Sequence, residues 1–534
     1  MTKRPNVLVL MADQMTSASI DLITSGNIVA PNLEALIRRS VSFSDAYCTY
    51  PLCSPSRASL MSGRLPSNIG AYDNGAEFPA SVPTIAHYLR NEGYDTTLIG
   101  KMHFLGPDQL HGFENRLTPE LYPCDFSWTP RWDKNAQRYP YETGAGNSDV
   151  GTVLDSGAAV WTMQMEHDEE VSLLARHHIL NAARPGQLRP WMATVSFTSP
   201  HDPFLISKEY LDLYDEVEIP MPTVPAVSYD ELDEHSKLVH EINGMAKYSI
   251  GGAETRRARH AYFAMISYVD AKIGAVLQAL DDTGQAANTV VVFTSDHGEM
   301  LGERGMWFKK TFFEPSVKVP LLISYPGRIE PRRSTGPVSL VDVLPTVLDL
   351  VGAESNQGRP GLDGTSLAPG LLNDGQLDIS TVAFVEGHDN ATIAPRFMVR
   401  KGGYKLVYSE AYEPMLFNLE TDANELDNLA GREEYRDVEL HLRDLIFDRF
   451  DIADLRQRII ASQNDRRLVT QALSLGQSRN WKVGSTIDAS SRFVLSGDAF
   501  PDVERRGYVL QQQEASLEGK QTQASAQQAD GVAV

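Results

Sequence analysis

Cys53, Pro55 and Arg57 lie within the stretch YPLCSPSRASLMSGRLPS, in a chain with three cysteines, Cys48, Cys53 and Cys124. The residues after Cys53 read as the start of a helix. A buried free thiol is the ordinary role for such a cysteine. A thiolate activated at a helix N-terminus, able to attack an electrophile, is a second. Other residues with chemistry to offer stand where apolar runs stop. Asp13 follows Val7–Ala12, Lys101 follows YDTTLIG, His201 follows PWMATVSF and Asp296 follows NTVVVFTS. Each residue alone has a plain structural role, a turn for Asp13 or a buried imidazole for His201. Four polar residues at four strand ends are more than loops require.

Those ends need a sheet behind them. Val7–Ala12, YDTTLIG, PWMATVSF (190–197) and the β-branched NTVVVFTS read as buried strands, and VKVPLLISYPG as another. Helical patterns alternate with them. PTIAHYLRNEG has Pro83 at its start and Gly93 at its end. Tyr262, Ile266, Val269, Ile273, Val276 and Leu280 step by fours and threes along one face, and SLVDVLPTVLDLVG follows. The alternation predicts an α/β fold, a large, mostly parallel sheet sandwiched by helices, in which ligands collect at the carboxyl ends of strands. From about Asp378 shorter strands take over (TVAFVEGHD, RFMVRKGGYKLVYS, PMLFNLETD), with Gly402–Gly403 as a hairpin turn. One long helix, EEYRDVELHLRDLIFDRFDIADLRQRIIASQ, is expected next. The division is a catalytic domain over 1–375, a small antiparallel-sheet subdomain over 376–450, a helical extension over 451–513 suited to oligomerisation, and a disordered tail over 514–534.

At 534 residues, two domains are the natural expectation. A net charge of −22 argues against a nucleic-acid partner. Three cysteines make no disulfide framework in a protein this large, and the Val7–Ala12 run is too short for a signal sequence or a membrane span. A cytoplasmic location, without membrane attachment, is expected.

Cys53-Ser54-Pro55-Ser56-Arg57, followed by ASLMSGR, resembles the signature at which type I sulfatases have a cysteine oxidised to formylglycine. PNVLVLMADQ, GKMHF, SPHDPF, FTSDHGEMLGERGMWFKK, VDVLPTVLDLVG and LDGTSLAPGL follow in the order of that family, which belongs to the alkaline-phosphatase-like superfamily. GAYDNGAEFPASVPTIAHYLRNEGY, LIGKMHFLGPDQLHGFENRLT and YPCDFSWTPRWD are similar to the choline sulfatases within it.

The resemblance implies a role for each matching position. Cys53 would be the formylglycine precursor, read by a maturation enzyme through Pro55 and Arg57. The hydrated aldehyde would attack sulfur with one hydroxyl and expel sulfate by losing the proton of the other. Arg57 would hold the hydrate. Asp13, Gln14, Asp296 and His297, with the modified Cys53, would bind Ca²⁺, or alternatively Mg²⁺ or Mn²⁺. Many sulfatases have Asp-Asp where this chain has Asp13-Gln14, and Asp-Asn where it has Asp296-His297, so Gln14 would offer a carbonyl without a charge. Lys101 and Lys309 would bind the sulfate oxygens, His103 would hold or deprotonate the hydrate, and His201 would protonate the departing alcohol. Lys310 adjoins Lys309, and the motif favours the latter.

A quaternary ammonium group is recognised by aromatic faces with compensating carboxylates. Trp128 matches the choline-binding tryptophan, with Asp73 and Asn74 as pocket candidates and Glu386 as a further substrate contact near the cation. Trp132 reads as packing. The substrate implied is choline sulfate, and homo-oligomers are expected. An arylsulfatase or phosphonate monoester hydrolase on the same scaffold is the alternative enzyme, and a quaternary-ammonium-binding protein with an unmodified Cys53 the alternative without catalysis. Asp498 and Asp502, in RNWKVGSTIDASSRFVLSGDAFPD, could reach an active site, although no local motif speaks for either.

Overall fold

The structure, a computed structural model, describes residues 4–132, 148–184, 187, 189–353, 361–372, 382–475 and 509–510. Most of the expected helical extension, Asp498, Asp502 and the 514–534 tail lie outside the described residues.

In chain order the strands are β1 (Asn6–Ala12), β2 (Val41–Tyr47), β3 (Asp95–Gly100), β4 (Asn115–Arg116), β5 (Gly157–Trp161), β6 (Trp191–Phe197), β7 (Leu205–Ile206), β8 (Thr289–Thr294), β9 (Leu321–Ser324), β10 (Arg332–Ser339), β11 (Val382–Gly387), β12 (Arg396–Lys401), β13 (Tyr404–Ser409), β14 (Tyr412–Asn418) and β15 (Val509–Leu510). The helices that bear on the site are α1 (Cys53–Ser62), α2 (Met163–Ala182), α3 (Gly252–Asp282), α4 (Val343–Leu350), α5 (Arg436–Arg449) and α6 (Ile452–Leu473).

Eight strands form the main sheet in the order β10-β2-β9-β8-β1-β6-β3-β4. All neighbours pair parallel except those of β9, which runs antiparallel to both β2 and β8. Every residue of β1 is buried because both faces are covered. Leu8, Leu10 and Ala12 join one core with Tyr262, Ile266, Val269 and Ile273 of α3. Val7, Val9 and Met11 join the other with Ala58 and Leu60 of α1 and Leu344 and Val347 of α4. The 31-residue α3 is apolar enough to cross a membrane by length and composition, but 78% of its most apolar window is buried within the protein.

The second sheet, β11-β12-β13-β14, is antiparallel throughout, with Gly402 at φ 54° in the hairpin turn. Its Phe397, Val399, Leu406 and Leu416 pack on Leu442 and Ile446 of α5 and on Ile452, Leu455 and Ile459 of α6. The single long C-terminal helix expected from the sequence is two helices. Phe450 is extended (φ −128°, ψ 124°) between them, and Asp451 caps the second by accepting from the Asp454 amide at 3.0 Å. Burial of Phe450 against Phe397, ring centroids 4.5 Å apart, fixes the break. A capping aspartate beside an aromatic that packs sideways outweighs the helical pattern running through it. The first turns of α6 therefore fold onto their own chain.

Candidate active site

Strands β8, β1, β6 and β3 are consecutive and parallel, so their carboxyl ends open on one edge. The Asp13 amide donates to the Phe197 carbonyl at 3.2 Å and the Lys101 amide to that of Ser196 at 3.0 Å, which levels the residues leaving β1, β6 and β3. Gly100 (φ 105°) makes this possible, because a Cβ there would fall 2.0 Å from the Ser196 carbonyl oxygen. Cys53 is the first residue of α1, behind an extended Leu52, and all ten residues of that helix are buried.

The charges are concentrated and buried. Arg57 has no exposed surface, and each arm is engaged. Nε donates to Asp296 Oδ2 at 2.7 Å, and Nη1 donates to the Lys101 carbonyl at 2.6 Å and Ser196 Oγ at 2.9 Å. Nη2 stands 3.3 Å from Asp13 Oδ2, on which the Lys101 ammonium also closes. Burial would raise the Asp13 carboxyl, but Lys101 and Arg57 outweigh it and hold it far below the usual range. Asp296 is depressed in the same way, against its own burial, chiefly by Arg57. Both remain carboxylates at neutral pH.

Cys53 Sγ lies 3.1 Å from His297 Nε2 and 3.8 Å from Lys101 Nζ. His297 Nδ1 is 3.0 Å from the Gly298 carbonyl, so Nδ1 carries the proton and Nε2 the lone pair. Burial lowers its pKa, and the neutral ring keeps that lone pair available.

Gln14, at φ 61°, extends the cluster. Its amide nitrogen donates to Asp202 Oδ1 at 3.0 Å and to Glu299 Oε2, and its carbonyl oxygen accepts from Lys309. Lys309 Nζ is also 2.5 Å from His201 Nε2. Burial and then Lys309 drive His201 well below its ordinary pKa, leaving it neutral beside a charged lysine. Lys309 stays charged because Cys53 and the acids around it overcome its burial. Burial pushes the Glu299 carboxyl up to about 7.

His103 has φ 52° and is 1% exposed, and neither ring nitrogen has a hydrogen-bond partner among the described residues. Its backbone is held by Glu120, whose Oε2 accepts from the His103 amide at 2.7 Å and the Met102 amide at 3.0 Å. The ring is edge-on to Trp128, centroids 5.7 Å apart, and tilted over Tyr122 at 5.4 Å. Tyr122 in turn has Lys101 Nζ 3.7 Å from its ring centroid and its hydroxyl 3.2 Å from His201 Nδ1. An aromatic corner thus adjoins the charged cluster. Backbone outliers at Gln14, His103, Phe308 and Lys310 concentrate at this site, where such strain is usually found.

Of the residues singled out in the sequence, Asp13, Gln14, Cys53, Arg57, Lys101, His201, Asp296, His297 and Lys309 meet in one contact network, with His103 and Trp128 beside it through Tyr122. Asn74 borders it, accepting from the Ser54 amide at 3.0 Å. Glu386 is one layer out, where its buried carboxylate bonds His388 at 2.7 Å and Ser67 Oγ at 3.0 Å. The Asp73 charge is taken by Arg466, at 2.7 and 2.9 Å. Trp132 packs in the small core and donates to the Asp389 carbonyl at 3.1 Å. Lys310 turns away from Lys309 to bond Asn390 at 2.9 Å, and burial lowers it to about 8. Glu120, Asp202 and Glu299 were not singled out. Asp202 adjoins His201 and Glu299 lies two residues past His297, both within quoted motifs, whereas Glu120 carries no signal.

Asp13, Cys53, Asp296 and His297 offer ligand atoms that all lie within 4.8 Å of one another. Asp13 Oδ1 is buried without a hydrogen-bond partner among the described residues. Two carboxylates, an imidazole lone pair and the side chain of residue 53 fit a divalent cation.

A family model described as Sulfatase matches residues 5–353, and one described as N-sulphoglucosamine sulphohydrolase, C-terminal, matches 302–450. A choline-sulfatase of Rhizobium meliloti (strain 1021) is 40% identical over 92% of this chain and 96% of its own. An arylsulfatase of Clostridium perfringens (strain 13 / Type A) is 28% identical over 83% and 94%. Among solved structures, the phosphonate monoester hydrolase of Agrobacterium radiobacter superposes with a TM-score of 0.65 at 26% identity, covering 85% of this chain and 96% of that one. The sheet order, the second antiparallel sheet and these matches agree on the alkaline-phosphatase-like fold, and the chain belongs to the sulfatase family, whose members hydrolyse sulfuric esters.

Proposed function

We propose that this chain hydrolyses choline-O-sulfate to choline and sulfate, using a formylglycine made from Cys53 and a divalent cation, Ca²⁺ before Mg²⁺ or Mn²⁺. The single observation carrying the choice of alcohol is the aromatic corner of Trp128 and Tyr122 against His103, joined to residue 53 through Lys101. Aromatic faces attract a quaternary ammonium by about 0.5–2 kcal/mol. The 40% identity to a choline-sulfatase supports the same reading.

Asp13, Asp296 and His297 would hold the cation, which supplies positive charge against the sulfuryl oxygens, and Gln14 would add its carbonyl. Formylglycine supplies, as its hydrate, a nucleophile that can release sulfate without a second attack. The remaining work belongs to residues already in position. Lys101 and Lys309 bring two ammonium groups to the anionic ester, Lys101 and Arg57 keep Asp13 ionised, and Arg57 keeps Asp296 so. Lys309 donates into the neutral His201 Nε2, so this pair holds the proton that the departing alkoxide needs. His103, buried and with both ring nitrogens unpaired among the described residues, accepts a proton from the nucleophile's side.

Burial of all of α1 supports modification of Cys53 by a maturation enzyme before the chain folds. A cytoplasmic, reducing location agrees with three free cysteines. A homo-oligomeric working form is part of the proposal, and light scattering on the purified protein tests it.

The test of the substrate is a kinetic panel. Choline sulfate should exceed p-nitrophenyl sulfate and a phosphonate monoester in kcat/KM. A preference for the phosphonate ester would move the chain to the function named for its structural neighbour.

A further inference from the structure

Helix α6 lies beyond both matched family models, which end at residues 353 and 450. The choline-sulfatase match, covering 92% of the chain, leaves too few residues out to miss it. Its buried residues are Ile452, Leu455, Ile459, Gln463 and Arg466, a single stripe at helical spacing. The first three are apolar and join the small core. The stripe then turns polar without leaving the interior. Burying a guanidinium and an amide where two leucines would serve is costly unless they hold something specific.

What they hold is the wall beside the nucleophile. Arg466 Nη1 and Nη2 grip the two oxygens of Asp73 at 2.7 and 2.9 Å, and Nη1 also reaches Thr129 Oγ1 at 3.3 Å. Asp73 Oδ1 accepts from the Gly75 amide at 2.8 Å, which sets the turn carrying Asn74. The backbone of Gly75 lies directly against that of Trp128 and Thr129, where a Cβ would fall 2.6 Å from the Thr129 nitrogen. Gln463 accepts from the Trp132 amide at 2.9 Å, and Arg467 donates to the Pro130 carbonyl at 3.3 Å. The two loops bearing Asn74 and Trp128 are therefore joined to each other and tied to one helix.

We propose that α6 is a specificity brace and that Arg466 is a positioning residue for the cationic end of the substrate. It acts through Asp73 and Thr129, fixing Asn74 and Trp128 at the distance a trimethylammonium group needs. The proposal rests on the choline reading above. Bidentate geometry is the essential part, since a lysine at 466 keeps the charge but cannot grip both oxygens and Thr129 together.

The experiment compares Arg466→Lys, the double variant Arg466→Met with Asp73→Asn, and Trp128→Ala on choline sulfate and p-nitrophenyl sulfate, all in the full-length, matured protein. The double variant leaves no unpaired buried charge, so it reports even where the single change weakens folding. Both Arg466 variants should raise KM for choline sulfate about tenfold with little change in kcat, while kcat/KM for p-nitrophenyl sulfate changes less than twofold. Equal losses on both substrates would overturn the proposal, because Arg466 would then support the fold or the nucleophile in general. Selective loss in Trp128→Ala with none in the Arg466 variants would refute the brace alone. No selective effect of Trp128→Ala would refute the choline reading, and the brace with it.

Discussion

Glu120 carries no chemistry of its own, yet substituting it should damage catalysis through His103. Its carboxylate is fully buried and accepts three backbone amides, from Met102, His103 and Leu121, at 3.0, 2.7 and 3.0 Å, with Arg116 Nη2 3.3 Å away. Burial would raise its pKa, but Arg116 and then His103 hold it below the ordinary value, so it stays ionised at neutral pH. Glu120→Gln preserves shape but places an NH₂ against one of those amides and removes the charge facing Arg116. Breaking one partner of a buried pair costs about 3–5 kcal/mol. Loss of the charge weakens the Oε2 acceptor that holds the His103 amide at its strained φ of 52°, and the imidazole relaxes away. A displacement near 1 Å in a reacting group costs up to about 10²-fold in rate. The assay is a double-mutant cycle in kcat on choline sulfate. If Glu120 acts through His103, the pair Glu120→Gln/His103→Ala should be at most about twofold slower than His103→Ala alone. Multiplicative losses, or a Glu120→Gln enzyme with unchanged kcat, would refute the reasoning.

Three further outcomes follow from the geometry. His201→Asn should lower kcat on choline sulfate by about 10²–10⁴-fold, and that on p-nitrophenyl sulfate, whose leaving group needs no proton, by less than about tenfold; equal losses would remove His201 from proton transfer. Chelation should abolish activity and lower the melting temperature, with both restored by a divalent cation, because a ligand at about 100 times its Kd adds about 2.7 kcal/mol; a melting temperature indifferent to chelation, and to Asp296→Asn, would contradict the metal assignment. Asp342 accepts the Ser339 and Thr365 amides on separate oxygens, and burial raises it from 3.8 to about 6, so the folded state binds its proton more tightly than the unfolded chain. That stabilisation is complete below pH 4 and is lost as pH rises to about 6, a fall of about 3 kcal/mol. Asp342→Asn should be less stable than wild type at pH 4, having one acceptor fewer, and should close or reverse the gap by pH 7.5. Parallel melting curves across that range would contradict the shift.

The parts of the site readable in the sequence are those written locally. A buried parallel strand is a continuous apolar run, its carboxyl end is where the polar residue falls, and Asp13, Lys101, His201 and Asp296 each follow such a run. Cys53 and Arg57 share one helical turn, so their spacing carries their meaning. Strand β2 and helix α2 are not legible in the sequence. The pattern of β2, alternating buried and half-buried residues, is weak in VSFSDAY, and α2 mixes buried Gln164, His167 and Asp168 with its apolar positions. The break at Phe450 was hidden because helical periodicity runs through it, and only packing on Phe397 decides against continuation. Arg466 and Asp73 are 393 residues apart, and no local pattern links a helical arginine to a turn aspartate. Glu120 is equally silent, since what it binds is backbone. Residues that react could be found from type and place; residues that position them appear only once the chain is folded.

The account stands most directly on the state of residue 53. Peptide mapping of active protein from its native host, with the converted fraction measured in samples of graded activity, tests it. The account predicts formylglycine at position 53 and turnover on choline sulfate that rises in proportion to the converted fraction. Full turnover from chains retaining an intact Cys53 thiol would contradict it.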